Sequence, residues 1–529
     1  MDSTTYPLEE KSDTKIVGEF AFSPPSNRTM HIYPVTQTSL HDTRYTVKAN
    51  GVEVPLQFAR VSKEPFNRRW PGHQRQLSQS EIVPFVLLEA DEPVTFEVTS
   101  EQDLSQAVIR PCTHGVTPII NDNTAKFTLN GGTYCTFEPS RRHHALHIFL
   151  DKPKQYDIKP TDDKVIYFGK GVHEAGMIEL KGGQTLFLDE GAVVFACVRA
   201  MDANNIRIIG HGILDNSHNR ENILFEANEK DNKVAVNNAV RLHTVQLEYC
   251  TNVVIDGVTI RDSLVYNIRP IGCRNLAISN VKIIGCWRYN SDGIDMHNCE
   301  NVLIEHCFLR TYDDSICIKG FDCYYPGDVE KAVQEAMHHN GGCYVNFRQV
   351  IVRDCVIWND WGKCLEIGAE TRAEEICGIL FENCAIIHVT GPALDCCNVD
   401  YARVHHVTWR DISVEYDDII PPPLIQTNDN ETYTIRARDY NPPLCMAVVE
   451  FHPEYSAGGD RRGVNDHLVF ENIRLFSNKK PVFVFRGYDG KHTTRDVILK
   501  NIKWNGRAIC DSGEYELVTD EFCQNVTIE

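Results

Sequence analysis

Residues 252–283 read NVVIDGVTIRDSLVYNIRPIGCRNLAISNVKI and contain one nine-residue pattern twice, at 252–260 and at 275–283. Each copy starts with Asn, continues with alternating apolar residues and has polar or glycine residues at its fifth and sixth positions. Alternation with a period of two is typical of a short β-strand that has one buried face. Two such strands 23 residues apart predict a repeat protein whose unit is built from strands.

The same pattern recurs on both sides of this stretch. Its nine copies start at Asn205, Asn252, Asn275, Asn301, Gln349, Gly378, His406, His467 and Asp496. The spacings are 47, 23, 26, 48, 29, 28, 61 and 29 residues, so the period lies in the twenties, with insertions or additional coils where it doubles. No helix-period segment of comparable strength separates the copies, and the Leu spacing of leucine-rich repeats is missing. The sequence therefore predicts a right-handed parallel β-helix over residues 156–529, with loop insertions at about 320–346 and 420–465.

The first 155 residues carry a different pattern. Short alternating runs such as RYTVKANGVEVPLQFARV (44–61) and VTFEVTS (94–100) are separated by turn residues. This organisation is typical of antiparallel strands joined by short turns. We expect an all-β protein in which an antiparallel β-sandwich over residues 1–155 precedes the β-helix.

Composition and charge exclude several classes of function. The formal net charge is −20, which argues against a nucleic-acid partner, because phosphate binding needs clustered Lys and Arg. No run of about 18 apolar residues is present, so we predict no membrane span. The N-terminal stretch lacks a basic segment followed by an apolar run, which favours a cytoplasmic protein, although a chain trimmed of a signal peptide would look the same. The sequence leaves the oligomeric state open, and a homo-oligomer is compatible with it.

The 20 cysteines show no CxxC spacing. Cys307, Cys355 and Cys384 occupy the seventh position of their copies, where other copies carry Val or Ile. That position is expected to face the core of the β-helix. We therefore predict reduced thiols that fill the core, and neither disulfides nor metal ligands.

Four aspartates lie within residues 289–320, YNSDGIDMHNCENVLIEHCFLRTYDDSICIKG. Asp313 and Asp314 follow Asp292 by 21 and 22 residues, which is about one coil. Equivalent residues of stacked coils lie roughly 4.8 Å apart, so these three side chains are expected to converge on one outer face. The alternative is that Asp in DG and DD pairs makes turns or caps strands. Asp295 is expected to have a structural or supporting role.

These residues resemble a known motif. Asn290-Ser291-Asp292, followed by Asp313-Asp314, is similar to the NTD…DD pattern of the polygalacturonase family, glycoside hydrolase family 28. GKGVHEAGMIELKGGQTLFLDEGAVVF and NIRIIGHGILD resemble the first β-helix coils of those enzymes. The related dextranase and isopullulanase family, family 49, shares the fold and the carboxylate trio, and an N-terminal β-sandwich is more similar to that side of the clan. The resemblance covers roughly residues 160–510.

The resemblance implies a role for each aspartate. Asp313 would be the general acid, and Asp292 and Asp314 would hold the nucleophilic water. Crowded carboxyls separate their pKa values, so that one stays protonated near neutral pH. We expect an inverting hydrolase with no cofactor and no required metal. Inversion needs room for a water molecule, roughly 6.5–9.5 Å between the acid and the other carboxyl groups, whereas about 5 Å would indicate retention.

The chain also departs from the polygalacturonase pattern. Aligned on the shared LxIG, Lys363 of WGKCLEIGAET stands where the GHG motif has its histidine, and no Arg-x-Lys pair follows in GPALDCCN. Basic residues there would bind a uronate carboxylate, so a neutral glycan or a differently held uronide is expected. The substrate-binding candidates are Asn290, Lys319, Trp361, Lys363, Glu366 and Glu370.

The leading interpretation is a glycoside hydrolase that cleaves α-linked oligo- or polysaccharides. We expect it to process short intracellular oligosaccharides, with exo-action if loops close one end of the cleft and endo-action if the groove is open. β-Helix scaffolds also carry polysaccharide lyases and glycosyl- or fructosyltransferases, so these remain alternatives. A non-catalytic carbohydrate-binding protein is the third possibility.

Overall fold

The computed structural model of the chain describes most of its residues. These are residues 30–63, 67–68, 77–140, 142, 144–218, 243–321, 329–343, 346–416, 424–426, 433–435, 441–453 and 455–529. The insertions predicted at about 320–346 and 420–465 lie partly outside these ranges. The N-terminal stretch that was inspected for a signal peptide lies entirely outside them. Within the described residues, no helix has the length and apolar character needed to cross a membrane.

The N-terminal part consists of two packed β-sheets. The first contains, in spatial order, His31–Ile32, Ser80–Glu89, Leu146–Asp151, Thr133–Glu138 and Val108–Arg110, with Gln57–Ser62 also paired to Ser80–Glu89. The second contains Val52–Val54, Tyr45–Ala49, Val94–Ser100, Thr124–Leu129 and Ile119–Asn121. All pairs are antiparallel except Leu146–Asp151 with Ser80–Glu89. Alternate side chains of both sheets fill one core, in which Phe127 stacks on Phe96 and Phe137 at 5.8 and 6.0 Å.

The second part is a parallel β-helix with three ladders of strands, here called A, B and C. Ladder A contains Val165–Phe168, Thr185–Leu188, Asn204–Gly210, Thr251–Asp256, Arg274–Ser279, Glu300–Glu305, Phe347–Arg353, Glu375–Glu382, Arg403–Arg410, Val464–Glu471, Thr494–Lys500 and Cys523–Ile528. Ladder B contains Ile213–Asp215, Thr259–Arg261, Lys282–Ile283, Phe308–Thr311, Val356–Asn359, Ala385–His388, Ser413–Glu415, Arg474–Phe476 and Lys503–Trp504. Ladder C contains Val245–Glu248, Ile268–Ile271, Ile294–His297, Ile316–Lys319, Leu365–Ala369, Leu394–Asn398, Cys445–Val449, Val482–Arg486 and Glu516–Thr519.

A few elements lie at the ends of the ladders or outside them. Gly171–Glu179 and the long strand Ala192–Met201 start the sheet that ladders B and C share, and Arg507–Ala508 forms a hairpin with Lys503–Trp504. Tyr433–Ile435, Leu424–Gln426 and Asn67–Arg68 form a small separate sheet. The described helices are the α-helix Val329–His339 and the 3₁₀ turns Leu77–Gln79 and Cys112–His114. The architecture confirms the predicted all-β class and the parallel β-helix.

The repeat predicted from the sequence is the repeat of ladder A. Ile206 pairs with Val253 and Val253 with Leu276, and the second residues of all nine copies continue this register to Val497. The first residue of every copy has a positive φ, between 53° and 65°. Among residues with a Cβ, Asn and Asp enter this left-handed region most readily, which explains why five of the nine copies begin with Asn or Asp. The amide of Asn275 donates to Asn252 at 2.9 Å and accepts from Asn301 at 2.7 Å, so the turn residues also bind one another.

The predicted core positions of the cysteines are also found. Cys307, Cys355 and Cys384 are buried in the β-helix core, 2% exposed or less. All cysteines in the described part of the chain are free thiols. Burial raises the pKa of the Cys355 thiol well above its usual range, so this group stays protonated and apolar in character.

The β-sandwich packs on ladder B through a buried interface. Apolar side chains of both parts share one cluster, which includes Phe85, Phe149, Phe308 and Trp358. Polar pairs cross the same interface: Lys282 with Asp151 at 2.7 Å, Arg142 with Asp360 at 3.5 Å and His388 with Glu138 at 2.7 Å. The division into domains at residues 155 and 156 stays a prediction, because this junction joins both parts into one packed unit.

Candidate active site

The site lies where the chain passes from ladder B to ladder C. Ile294 pairs with Ile316, and Ile316 pairs with Leu365, in three successive coils of ladder C. Asp292, Asp314 and Lys363 each stand two residues before these partners. They therefore occupy equivalent positions of successive coils, and the one-coil spacing read from the sequence does bring the aspartates together.

The three aspartates form a compact group. One carboxylate oxygen each of Asp292, Asp313 and Asp314 lies within 4.8 Å of the other two. Asp292 is buried, whereas Asp313 and Asp314 are partly exposed. The carboxylate of Asp313 accepts the backbone N–H of Asn290 at 3.2 Å and that of Asp314 at 3.1 Å. Oδ1 of Asp314 accepts the backbone N–H of Lys363 at 3.0 Å. Backbone donors thus fix both exposed carboxyls.

The pKa values within this group are displaced upward. Burial, with the neighbouring Asp314 carboxylate, raises the pKa of Asp313 to about 7. Burial, with Asp295 and Asp313, raises the pKa of Asp292 well above its usual range. The role of Asp292 in holding the nucleophilic water stays a prediction, and the ionised form of its carboxyl is disfavoured. The reason is its depth, since the nearest cation, Lys319, lies 3.8 Å from it.

A second layer of charged side chains lies beneath the trio. Nζ of Lys319 is 3.0 Å from Asp295 and 3.5 Å from Glu370, and all three side chains are largely buried. Burial raises the pKa of Asp295 to about 6 even though Lys319 opposes the shift. For Glu370, burial acts in the same direction, but Lys319 and Arg372 outweigh it and lower its pKa to about 2. Lys319 and Glu370 thus form a buried ion pair, and Asp295 has the supporting position expected of it.

The next coil brings another lysine into the site. Nζ of Lys363 lies 2.5 Å from Glu366 and 2.6 Å from Asp395. The thiol of Cys317 donates to Glu366 at 2.9 Å. Glu366 and Asp395 are at most 1% exposed, and burial raises the pKa of both. The lysine predicted to bind substrate is therefore already paired with two carboxylates.

The remaining predicted residues contribute in different ways. Asn290 contacts Asp313 through its backbone, as described above. Trp361 is partly buried and stacks on Tyr312 with ring centres 5.3 Å apart, and Tyr289 meets its edge at 5.2 Å. Trp361 packs against the β-helix core in this way, one coil away from Asp313.

Sequence reasoning missed two residues of the site. Asp395 lies on the strand after Glu366 and pairs with it in register. The amide of Asn359 donates to the backbone carbonyls of Asp313 at 2.7 Å and Lys363 at 3.1 Å, so it ties two connections together. Asp395 could have been found by extending to the next coil the LxIG alignment that identified Lys363, because Asp395 is the residue in register with Glu366. No local motif marks Asn359.

Within the described ranges of the chain, three groups of side chains have donor atoms close enough to hold a metal ion. They are Asp292, Asp313 and Asp314; Asp314, Cys317 and Glu366; and Glu375, Cys377 and His405. The first group offers only oxygen donors, which suit Mg²⁺ or Ca²⁺. The third lies on ladder A and offers nitrogen, sulfur and oxygen donors. The expectation that no metal is required stays a prediction.

The fold and the site together define a parallel β-helix protein with a carboxylate cluster at its B–C connections. Residues 164–323 match the model of the glycosyl hydrolases family 28, which confirms the resemblance seen in the sequence. The matched range contains Asp292, Asp313 and Asp314 and covers less than a third of the chain. Lys363, Glu366 and Asp395 lie beyond its end.

Individual polygalacturonases are also similar to this chain, over short stretches. A probable polygalacturonase of Vitis vinifera is 33% identical over 86 residues, 16% of this chain and 18% of the relative. A polygalacturonase of Gossypium barbadense is 28% identical over 153 residues, 28% of this chain and 34% of the relative. The chain thus spans about a third or less of the curated relatives it matches. Among solved structures, Dex49A from Penicillium minioluteum covers 94% of this chain and 90% of its own, with 13% identity and a TM-score of 0.50, a likeness of fold.

Proposed function

We propose that the protein is a glycoside hydrolase that cleaves α-linked glycans by acid/base catalysis. One observation carries the proposal: three carboxyl groups converge at one face of the β-helix, and one of them, Asp313, has a pKa of about 7. A carboxyl with that pKa is about half protonated at neutral pH, which suits a general acid. The match of residues 164–323 to glycosyl hydrolases family 28 supports the same reaction class.

The reaction uses the partly exposed carboxyls directly. Asp313 protonates the glycosidic oxygen as the bond to the anomeric carbon breaks. A water molecule held by Asp314 and Asp292 attacks the anomeric carbon, and its proton passes to Asp314 as the base. Lys319 stabilises the negative charge that remains on the cluster, because it lies 3.8 Å from Asp292. The backbone N–H groups of Asn290 and Lys363 hold the two exposed carboxyls in place.

Two stereochemical outcomes compete. Inversion is the outcome that the resemblance implies. Retention is the other outcome, and it stays a candidate because one oxygen of each carboxyl lies within 4.8 Å of the other two, a close approach that carboxyl groups roughly 5 Å apart would also give. We propose inversion, with retention as the second candidate. NMR of the first-formed product decides between them, since the anomeric configuration of that product is either inverted or kept.

A lyase mechanism fits the site less well. It needs an unprotonated base at the α-carbon of a uronate. The pKa values of Lys319 and Lys363 stand above their ordinary value, because their carboxylate partners outweigh the effect of burial. Both lysines therefore stay protonated at neutral pH and cannot act as that base. A lyase would reveal itself by the ultraviolet absorbance of an unsaturated product and by dependence on added calcium.

The function is tested by a screen of α-linked oligosaccharides, neutral and uronic, with reducing-end release as the readout. We expect turnover by the wild-type protein and a loss of about 10²–10⁴-fold or more in Asp313→Asn. Asp466→Asn is the matched control, because Asp466 is also buried, pairs with Arg403 at 3.0 Å and lies on ladder A. Equal turnover by wild type and Asp313→Asn would refute the assignment. The sizes of the first products distinguish exo- from endo-action, and short oligosaccharides are the substrates we expect to be preferred.

A further inference from the structure

Three charged side chains, called the 363 cluster here, occupy the coils that follow the catalytic aspartates. They are Lys363, Glu366 and Asp395, with Lys363 Nζ at 2.5 and 2.6 Å from the two carboxylates. Glu366 and Asp395 are neighbours in the register of ladder C and are buried. The side chain of Lys363 is 23% exposed, so it is the member of the cluster that reaches the surface.

The 363 cluster is part of the same cleft as the proposed catalytic group. The backbone N–H of Lys363 donates to Asp314, and donor atoms of Asp314, Cys317 and Glu366 lie within 4.8 Å of one another. A sugar bound beside the bond that is cleaved therefore meets the 363 cluster. What this cluster attracts or repels helps to decide which sugar can bind.

The charges of the cluster leave no cation for an acidic substrate. Lys363 carries one positive charge and has two carboxylate partners within 2.6 Å. Oδ1 of Asp395 is buried without a hydrogen-bond partner in the described part of the chain, so Lys363 alone compensates that carboxylate. Lys319 is engaged in the same way by Asp295 and Glu370. A uronate placed here would add a negative charge beside these acidic groups in a poorly solvated site, where like charges repel strongly.

We propose that Lys363, Glu366 and Asp395 form a subsite that accepts an uncharged sugar and rejects a uronic acid. The inference rests on the glycoside hydrolase activity proposed above and names its substrate class. A hydroxyl of a neutral hexose can accept a hydrogen bond from the partly exposed ammonium of Lys363 without adding charge, whereas a uronate carboxylate at C6 brings a further negative charge to a lysine that already pairs with two carboxyl groups. The subsite lies outside residues 164–323, so the matched family segment does not determine it.

An arginine on the neighbouring coil provides the alternative. Ile268 and Ile294 are paired neighbours in ladder C. Arg269 and Asp295 are the residues that follow them, so Arg269 lies one coil before Asp295. Its guanidinium lies 3.3 Å from His243 and is buried. A uronate held on that side of the cleft would depend on Arg269 and not on the 363 cluster. Arg269→Met therefore distinguishes the two sides of the cleft.

The test compares oligosaccharides that are identical in linkage and length and differ only at C6. One pair is an α-1,4-oligogalacturonide and its carboxyl-reduced counterpart, and another is an α-gluco-oligosaccharide and its C6-oxidised counterpart. We expect kcat/KM of the wild-type protein to be higher for the uncharged member, by about tenfold or more. This comparison needs no variant, so it holds even if substitutions in the buried cluster impair folding.

Two variants then assign the discrimination to the cluster. Asp395→Asn and Glu366→Gln each remove one acidic group while preserving shape. The positive charge of Lys363 is then less compensated and more available to the carboxylate of a uronic substrate. We expect the ratio of neutral to uronic kcat/KM to narrow severalfold in both, and to stay at the wild-type value in Asp466→Asn. Circular dichroism and thermal unfolding establish that each variant is folded.

The possible outcomes distinguish a failure of the subsite proposal from a failure of the proposed glycoside hydrolase activity. A wild-type protein that prefers the uronic member of its pair overturns the subsite, while the glycoside hydrolase activity stands. A ratio that stays unchanged in Asp395→Asn and Glu366→Gln but changes in Arg269→Met also overturns it. If wild type cleaves neither member of any pair nor any other oligosaccharide of the screen, the proposed function itself fails, and the subsite fails with it.

Discussion

Two sets of side chains repeat from coil to coil, and they differ in whether neighbouring members can bind one another. At the first position of the first four ladder A copies, amides stack on amides: Asn301 donates to Asn275, and Asn275 donates to Asn252. On ladder C, Asp295 is in register with Cys317, and Glu366 is in register with Asp395. An amide carries both a donor and an acceptor, so a column of amides satisfies itself. A column of carboxylates repels itself and needs lysines from neighbouring positions.

The difference shows which part of the repeat is architectural. A self-satisfying column can be extended without any further residue type, and it holds the left-handed turn of each coil. Around the ladder C column, Lys319 pairs with three acidic side chains and Lys363 with two. Crowding of this kind costs stability and displaces pKa values, and such sites are where chemistry is usually found. The following changes disturb one column or the other.

The largest effect on stability is expected from Lys319→Met. It leaves Asp295 buried without its cation and Glu370 with Arg372 alone, and breaking a buried ion pair in this way costs about 3–5 kcal/mol in the free energy of unfolding. Urea denaturation at pH 7 measures the loss. Lys500→Met is the matched control, because Lys500 pairs with Glu471 at 2.9 Å on the surface and its removal should change stability very little. Equal losses of unfolding free energy in both variants would show that Lys319 contributes no more to stability than a lysine in a surface ion pair.

The next effect concerns pH. Asp313 must be protonated to act as the acid, and its pKa is about 7, so kcat/KM should fall by about tenfold per pH unit above that value. The same shift affects stability. The raised pKa favours the folded state below the ordinary Asp value of about 3.9, and this contribution is lost as the pH rises through about 7. Asp313→Asn should therefore be more stable than wild type at pH 8 and equally stable below about pH 4.

A pH–rate profile, with unfolding curves recorded at each pH, checks both statements. Activity that stays constant up to pH 9 in a folded protein would remove Asp313 from the role of acid. A stability difference between Asp313→Asn and wild type that does not depend on pH would show that Asp313 is not strained in the folded state.

A smaller effect is expected on ladder A. Asn275→Ala removes two hydrogen bonds of the amide column and places a Cβ without a compensating polar group at φ 53°. We expect about 1–2 kcal/mol of lost unfolding free energy and an unchanged kcat/KM. Asn275→Gly isolates the two causes, because glycine adopts this φ freely and loses only the hydrogen bonds. A fall in kcat/KM as large as that of Asp313→Asn would contradict the separation between the two columns.

The smallest effect is expected from metal removal. The oxygens of Asp292, Asp313 and Asp314 are close enough to hold a cation, but the proposed mechanism assigns their charges to a proton and to Lys319. Treatment with EDTA should leave kcat/KM unchanged, and added calcium should not increase it. A loss of activity that is restored by one particular cation would favour the metal-dependent alternative.

Much of the fold could be predicted because each coil of the repeat is specified by a short, continuous stretch of sequence. A coil needs a left-handed residue, a short alternating strand and an inward apolar residue, and Asn275 with its neighbours shows all three within nine positions. The convergence of Asp292 with Asp314 followed from one-coil spacing alone. By contrast, the pair of His388 with Glu138 joins residues 250 apart, and no local pattern carries that information.

The charged residues around the trio show the same limit. Lys363 was identified as a departure from a motif, yet its partner Asp395 lies on the following strand and becomes visible only when the register is known. The resemblance assigned Asp292 to the nucleophilic water, and it carried no sign that burial raises the pKa of this carboxyl. Burial depends on what covers a side chain, and spacing along the chain does not specify this.

Lys363 has a consequence for how such a protein can diversify. Its backbone N–H holds Asp314, while its side chain binds Glu366 and Asp395. Almost any residue at this position would still supply the N–H, so mutation can replace the side chain without removing the contact to Asp314. The side chain at this position can therefore vary together with its partners Glu366 and Asp395, while the backbone contact that holds Asp314 is kept.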